Sequence, residues 1–64
     1  MDELEHLKSQ LETISEQLND VAMTILSEAI ENGENQRPDS EKKVSQARRA
    51  VDKAIQHLDA INNG

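Results

Sequence analysis

Any chemistry in this chain would depend on two histidines and a set of hydroxyl and carboxyl side chains. The 64 residues include no Cys, Trp, Tyr or Phe. Without cysteine there is no thiolate nucleophile, no disulfide framework and no cysteine-based metal site. His6 and His57 each precede a leucine, and neither lies at a spacing that pairs a base with a nucleophile or joins two metal ligands. We therefore expect both histidines in solvent or at the rim of a helix seam.

The carboxylates also lack the pattern of a metal or catalytic site. Lys and Arg total 7 against 13 Asp and Glu, which gives a net charge of -6. The sequence contains no repeated Glu-x-x-His pair, the arrangement that holds a di-iron centre in helical bundles. A chain of this size also leaves little room for a concave site that excludes water. The sequence therefore predicts no catalytic residue, no cofactor and no metal, and a protein that is not an enzyme.

One basic stripe has a composition that could bind a partner. Lys42, Arg49 and Lys53 share one side of the second half of the chain with Gln46 and Gln56, and that side holds no acid. Doubled by a two-fold axis, such a stripe could bind nucleic-acid phosphates. The net charge of -6 repels phosphate at long range, and the absence of aromatic residues removes base stacking. A solvated face and an acidic protein partner are the alternatives to nucleic acid.

The first half of the chain has the apolar spacing of one long helix. Seven apolar residues recur at intervals of three and four, as in a coiled-coil seam: Leu4, Leu7, Leu11, Ile14, Leu18, Val21 and Ile25. Acidic residues crowd the first turn, where they favour the positive end of the helix dipole. Gly33, just after Asn32, is a typical residue for the end of a helix. The pattern predicts a helix over residues 2–32.

A second helix follows the connection at residues 33–39. Pro38 disfavours helical geometry in the residue before it, and Asp39 or Ser40 is the expected N-cap of the next helix. Apolar residues then recur again at intervals of three and four: Val44, Ala47, Val51, Ala54, Leu58 and Ile61. The pattern predicts a helix over residues 40–62, closed by two asparagines and Gly64.

These two helices predict an all-α fold with a single domain over residues 1–64. A short connection favours antiparallel neighbours, so we expect a helical hairpin. A hairpin of this size holds little core on its own, and no disulfide or metal adds to it. We therefore expect two hairpins to pair into a four-helix bundle that hides both seams. Charge supports the pairing of unlike helices: eight acids and one base give residues 1–32 a net -7, whereas three acids and five bases give residues 40–64 a net +2.

A second apolar face widens the stripe near the end of the first helix. Met23, Leu26 and Ile30 lie outside the main seam, on an adjoining face. A helix with a single neighbour needs only a narrow stripe. We therefore expect these three residues at the dimer interface, and we expect Leu26 to be largely in solvent in a single hairpin.

The unequal helix lengths predict an overhang at the start of the first helix. If residues 32 and 40 flank the turn, the second helix reaches back only to about residue 10. Leu4 and Leu7 would then extend beyond it. They could pack on the second copy of the chain, dock a different protein, or belong to a frayed terminus.

These features together predict a non-catalytic protein–protein interaction module: a small dimeric regulator, adaptor or assembly subunit that binds itself and another protein. The alternative is an RNA- or DNA-binding dimer that uses Lys42, Arg49 and Lys53. In size and outline the chain resembles the Rop family of plasmid RNA-binding proteins, and this resemblance implies a hairpin that dimerises into a four-helix bundle. No apolar run approaches the length of a membrane span and no signal-peptide pattern is present, so we expect a cytoplasmic protein.

Overall fold

The structure, a computed structural model, is a hairpin of two long helices. It describes the backbone of residues 2–63 and the side chains of residues 2–61. Helix α1 spans Asp2–Glu31 and helix α2 spans Asp39–Asn63, and the two helices pack against each other. The Cα atoms occupy an envelope of 48 by 14 by 12 Å, as two rods side by side require. The all-α hairpin is confirmed, with the helix ends within one residue of the predicted positions; Gly64, the predicted stop signal, lies outside the described residues.

Helix α1 ends at the glycine that the sequence indicates. The Gly33 N–H donates to the Ile30 carbonyl and the Glu34 N–H donates to the Ala29 carbonyl, both at 3.0 Å. This pair of bonds is the Schellman motif, which satisfies the last carbonyls of a helix. Gly33 has a φ of 77°, in the left-handed region that costs little only for glycine. The chain therefore leaves α1 in one defined direction.

Helix α2 begins one residue earlier than expected, and without the expected cap. The Lys42 N–H donates to the Pro38 carbonyl at 3.2 Å, so Asp39 and Ser40 lie inside the first turn. The entry to the helix is instead held by Arg37, whose Nε and Nη2 donate to the two carboxylate oxygens of Glu41 at 2.6 and 2.9 Å. A bidentate pair fixes both side chains in one geometry. The pair of Arg37 and Glu41 therefore positions the start of α2 in place of the predicted N-cap.

Glu41 is buried at this junction, with 4% of its surface exposed. Ser45 Oγ donates a third hydrogen bond to it, at 3.0 Å. Burial by itself raises the pKa of Glu41, but the hydrogen bonds from Arg37 and Ser45, together with the positive charge of Arg37, outweigh it and hold the pKa below its ordinary value. Glu41 is therefore a buried carboxylate that stays ionised because its partners compensate for the lost water.

The contact between the helices is made by a row of small residues in α1. Ser15, Ala22 and Ala29 are buried and follow one another every seven residues, so they share one face of the helix. Side chains this small allow the two helix axes to approach closely. Arg48 of α2 lies against this row, because its Nε donates to Ser15 Oγ at 3.2 Å. The helices thus touch along a strip that is rich in small and polar side chains.

Contacts between the side chains of the two helices define a single register. Lys8 forms an ion pair with Asp59 at 2.5 Å, and Ser15 Oγ donates to Asp52 Oδ1 at 2.6 Å, so seven residues forward in α1 match seven residues back in α2. By the same spacing, Leu4 lies level with the end of α2, and it is half-buried. The predicted overhang of Leu4 and Leu7 is therefore wrong. The reason is the connection, which folds back beside the last turn of α1 and brings the start of α2 level with that turn.

Candidate functional site

Part of the apolar seam of α1 is turned away from α2. Leu7, Ile14 and Val21 are 44%, 42% and 47% exposed, whereas the neighbouring row that contains Ser15 and Ala22 is buried. The two rows share the seven-residue repeat, and each buried residue directly follows an exposed one in the sequence. The buried row is thus rotated by about 100° around α1 from the row of Leu7, Ile14 and Val21, which is the angle between consecutive residues of a helix. Within one hairpin, Leu7, Ile14 and Val21 are therefore exposed, and the pairing of hairpins that would hide them stays a prediction.

The exposed apolar rows of both helices lie on the same side of the hairpin. Asn19 of α1 lines a cavity of about 180 Å³ together with Ser45, Arg48 and Asp52 of α2, which identifies one polar edge of the contact strip. Leu18 also lines this cavity, whereas Leu4 and Leu11 lie across the contact strip of α1 from Asn19. Val44, Val51 and Leu58 likewise lie across the strip of α2 from Asp52. The apolar flanks of the two helices therefore adjoin each other on the edge opposite the cavity.

We call this apolar side of the hairpin the open face. Its members are half-buried or exposed, and they come from both helices: Leu4, Leu7, Leu11, Ile14, Leu18, Val21 and Ile25 of α1, with Val44, Ala47, Val51, Ala54, Leu58 and Ile61 of α2. Within residues 2–61, the buried apolar side chains are Ala22 and Ala29, and no large side chain is fully buried. The larger apolar side chains thus lie on the outside of the hairpin rather than in a core.

A polar network occupies the opposite edge and joins the two helices. Arg48 is its centre: Nε donates to Ser15 Oγ at 3.2 Å and Nη1 donates to Asn19 Oδ1 at 2.9 Å. Ser15 in turn donates to Asp52 at 2.6 Å, so its hydroxyl both donates and accepts. Arg48 Nε also lies 4.0 Å from Asp52 Oδ2. Each of these groups has a partner in the other helix, and the network therefore fixes the register.

The ion pair at the far end of the hairpin has the same role. Lys8 Nζ lies against Asp59, and both side chains are partly exposed. The hydrogen bond to Asp59 raises the pKa of Lys8, as do the charges of Asp59, Glu12 and Glu5, while partial burial opposes the shift. Exposed pairs of this kind contribute little free energy, so Lys8 and Asp59 specify alignment more than they add stability.

The Ser15 hydroxyl and the two histidines lie in different environments. Ser15 is buried, and its hydroxyl is engaged by Asp52 and Arg48 rather than by a histidine. His6 and His57 are exposed, as expected from their positions beside the seams. Among the residues that the structure describes, no group of three or more His, Asp or Glu side chains could hold a metal ion. The polar network therefore joins the two helices without involving either histidine.

The residues predicted for the dimer interface do not share one environment. Met23 and Ile30 are 59% and 73% exposed. Leu26 is half-buried and lines a cavity of about 170 Å³ with Ala29 and residues 34–37. The expectation that Leu26 is largely in solvent in a single hairpin is wrong, because the connection folds back over it. All three residues lie away from the open face, and their part in an interface stays a prediction.

The basic stripe predicted for nucleic acid is exposed. Lys42, Arg49 and Lys53 all lie in solvent on α2. Arg49 also lines the cavity beside Arg48 and Asp52. We call the side that carries Arg49 and Met23 the back face, because it lies opposite the open face. The back face thus combines basic residues from α2 with two exposed apolar residues from α1.

Sequence reasoning missed the polar network and the buried Glu41. The signal was present in a second repeat: the small residues at 15, 22 and 29, and the polar residues at 41, 45, 48, 52 and 59, follow intervals of three, four and seven. This polar repeat runs beside the apolar one in each helix. Apolar spacing alone does not show which of the two rows lies between the helices.

Comparison with known proteins identifies no relative. No protein-family model, no curated protein and no solved structure matches this chain. Over the described residues, neither helix combines the length and the apolar character that crossing a membrane requires. Function must therefore be inferred from the open face, the back face and the network between them.

Proposed function

We propose that the chain is a non-catalytic protein–protein interaction module that dimerises through its open face into a four-helix bundle. The observation that carries this proposal is the exposure of Leu7, Ile14 and Val21 on the same side as the apolar row of α2. Water contact with a continuous apolar face is unfavourable by roughly 25 cal/mol per Å². A partner that covers the face therefore stabilises the hairpin as it binds.

The size of the open face suits a second copy of the same chain. One long side of the Cα envelope, 48 by 14 Å, gives roughly 670 Å² before side chains are added, close to the approximately 800 Å² per partner of a stable interface. Two copies present faces of equal length and equal apolar character. A two-fold axis can thus cover both faces completely and leave no apolar end exposed.

The weak interior of one hairpin supports the same conclusion. Its buried apolar side chains are alanines, which bury little area. The burial of so few apolar groups offsets only part of the conformational entropy that helices of 30 and 25 residues lose on folding. In a bundle, the leucines and valines of both open faces would interdigitate as a shared core. Folding and association are then linked.

A matched pair of variants tests the interface. Ile14→Glu puts a carboxylate on the open face, where burial without a partner costs several kcal/mol in a dimer but little in a lone hairpin, because Ile14 is 42% exposed there. Met23→Glu makes the same kind of change on the back face. We expect light scattering to give a monomer for Ile14→Glu and a dimer for Met23→Glu. The opposite result would move the interface to the face of Met23, Leu26 and Ile30.

A second candidate function is nucleic-acid binding by the back face of the dimer. It is favoured by the exposure of Lys42, Arg49 and Lys53. Binding to phosphates would weaken with salt, roughly in proportion to the number of contacts. Retention of the protein on heparin, lost when all three residues are changed to Glu, would support this candidate. Passage through the column at low salt would exclude it.

The proposed module also includes a second protein partner and a cytoplasmic location. The open face is occupied by the second copy, so another protein would bind the back face, where Met23 and Ile30 are exposed beside basic residues. A partner helix with apolar and acidic residues would complement that surface. A cysteine-free composition fits a compartment in which disulfides do not form.

A further inference from the structure

We infer that the two hairpins meet with their turns at the same end, so that α1 of each copy packs against α2 of the other. This inference rests on the proposed dimer and adds its internal arrangement. The occupant of the open face is therefore a second copy of the chain in one orientation. The structure supports this through the rows of side chains that border the open face.

Two-fold symmetry allows only two ways to cover one open face with another. If the axis runs along the helices, the turns lie at the same end and each α1 lies over the partner's α2. If the axis runs across the helices, the turns lie at opposite ends and α1 lies over the partner's α1. In both arrangements, helices that touch across the interface are antiparallel. The choice between them depends on which rows come together.

The outer border of the open face on α1 is acidic at both ends. The row consists of Glu3, Gln10, Gln17, Thr24 and Glu31, and all of them are exposed. With turns at opposite ends, this row meets its own copy about a centre near Gln17. Glu3 then lies beside the partner's Glu31, and the contact occurs twice. Like charges that flank a helix interface oppose pairing.

The outer border of the open face on α2 has a different composition. Its row consists of Lys43, Ala50 and His57, again all exposed. With turns at the same end, the register seen within the hairpin places Thr24 beside the partner's Lys43 and Gln10 beside the partner's His57. No two carboxylates of these rows meet. The whole-helix charges agree, since residues 1–32 carry -7 and residues 40–64 carry +2.

Both arrangements hide the open faces and leave the two back faces on opposite sides of the bundle. The same-end arrangement additionally places the two connections, residues 33–38, at the same end of the bundle. Each bundle then has one end made of helix termini and one end made of two turns. A partner that binds the back face would find two identical sites, one on each side.

Introduced cysteines can distinguish the arrangements, because the chain has no cysteine of its own. The double variant Gln10→Cys/His57→Cys places one cysteine on each outer border, and Gln17→Cys lies at the middle of α1; all three positions are exposed. A bifunctional maleimide that spans about 10 Å, the distance between packed helix axes, reports which pair is adjacent. Gln46→Cys on the exposed outer side of α2 measures cross-linking by random collision.

We expect Gln10→Cys/His57→Cys to give a covalent dimer as the main product, with Gln17→Cys no higher than Gln46→Cys. Cross-linking of Gln17→Cys but not of Gln10→Cys/His57→Cys would overturn the same-end arrangement and leave the dimer intact, because each α1 would then lie over the partner's α1. Equal cross-linking of both variants would contradict a dimer with a single arrangement. A monomer in light scattering for the unlabelled chain would remove the dimer itself, and with it this inference.

Discussion

Arg48 is the residue that most directly connects the two helices. It donates to Ser15 and to Asn19, and it lies near Asp52 on its own helix. Ser15 is buried, so loss of its partner leaves a polar group that water reaches poorly. Arg49, the next residue, is exposed and makes a chemically identical control.

We expect Arg48→Leu to lower the free energy of unfolding by about 1–3 kcal/mol, because two hydrogen bonds between the helices are lost and Ser15 keeps only one partner. Arg49→Leu should change it by less than about 0.5 kcal/mol, as for other exposed positions. Urea unfolding at a fixed protein concentration measures both values. Equal effects of the two substitutions would show that the network does not hold the helices together.

The ionisation of Glu41 gives the stability of the fold a pH dependence of definite sign. Its pKa in the folded chain lies below the ordinary value of 4.5, so the folded state favours the ionised form. Its contribution to stability is therefore complete above about pH 4.5 and is lost as the pH falls through the folded pKa. The Arg37 and Ser45 hydrogen bonds are the cause.

Glu41→Gln removes this titration and keeps the size of the side chain. We expect the variant to be less stable than the unchanged protein at pH 7, and the difference to shrink as the pH falls below about 4.5. Thermal melts of both proteins between pH 7 and pH 3 give the comparison directly. A difference that stays constant over this range would mean that Glu41 does not stabilise the fold as a carboxylate.

At the scale of the elements, the ends of the helices were predictable because they depend on nearby residues. Gly33 ends α1 through its own backbone geometry, and Pro38 separates the two helices. The face of each helix that contacts the other was not predictable in the same way. In each helix an apolar row and a polar row follow the same repeat side by side, and only the structure shows that Ser15 and Arg48, rather than Leu7 and Ile14, lie at the contact.

The predicted overhang of Leu4 and Leu7 is wrong for a related reason. The sequence indicates how long the connection is, but its path depends on contacts with residues that are distant in sequence. Residues 34–37 fold back against Leu26 and Ile30, which moves α2 along α1 and brings Asp59 to Lys8. The same contacts half-bury Leu26, a residue whose position on the helical wheel alone indicates solvent.

The turn after α1 gives a prediction at this scale. Gly33→Ala should lower the free energy of unfolding by about 1–2 kcal/mol, because a φ of 77° is unfavourable for a residue with a Cβ atom. Space does not limit the change, since no atom lies within 4 Å of an added Cβ. Gly33→Asn should cost less, because asparagine tolerates the left-handed region better. Equal losses for both variants in urea unfolding would contradict this explanation.

At the scale of the whole molecule, the distribution of side chains separates two tasks. The polar strip between the helices sets their register, while the open face carries most of the larger apolar side chains. A single hairpin therefore has a defined shape but few buried apolar groups. Its stability would come from whatever covers the open face, and we propose that this is a second copy of the chain.

The mass of the unchanged chain in solution, taken together with the dependence of its melting temperature on concentration, tests this proposal most directly. Sedimentation equilibrium at micromolar concentration should give twice the 7.2 kDa of one chain. The melting temperature, followed by circular dichroism, should rise with protein concentration because unfolding separates the two copies. A mass of 7.2 kDa, with a melting temperature that does not depend on concentration, would show that the hairpin is stable with its open face in water and would contradict the proposed dimer.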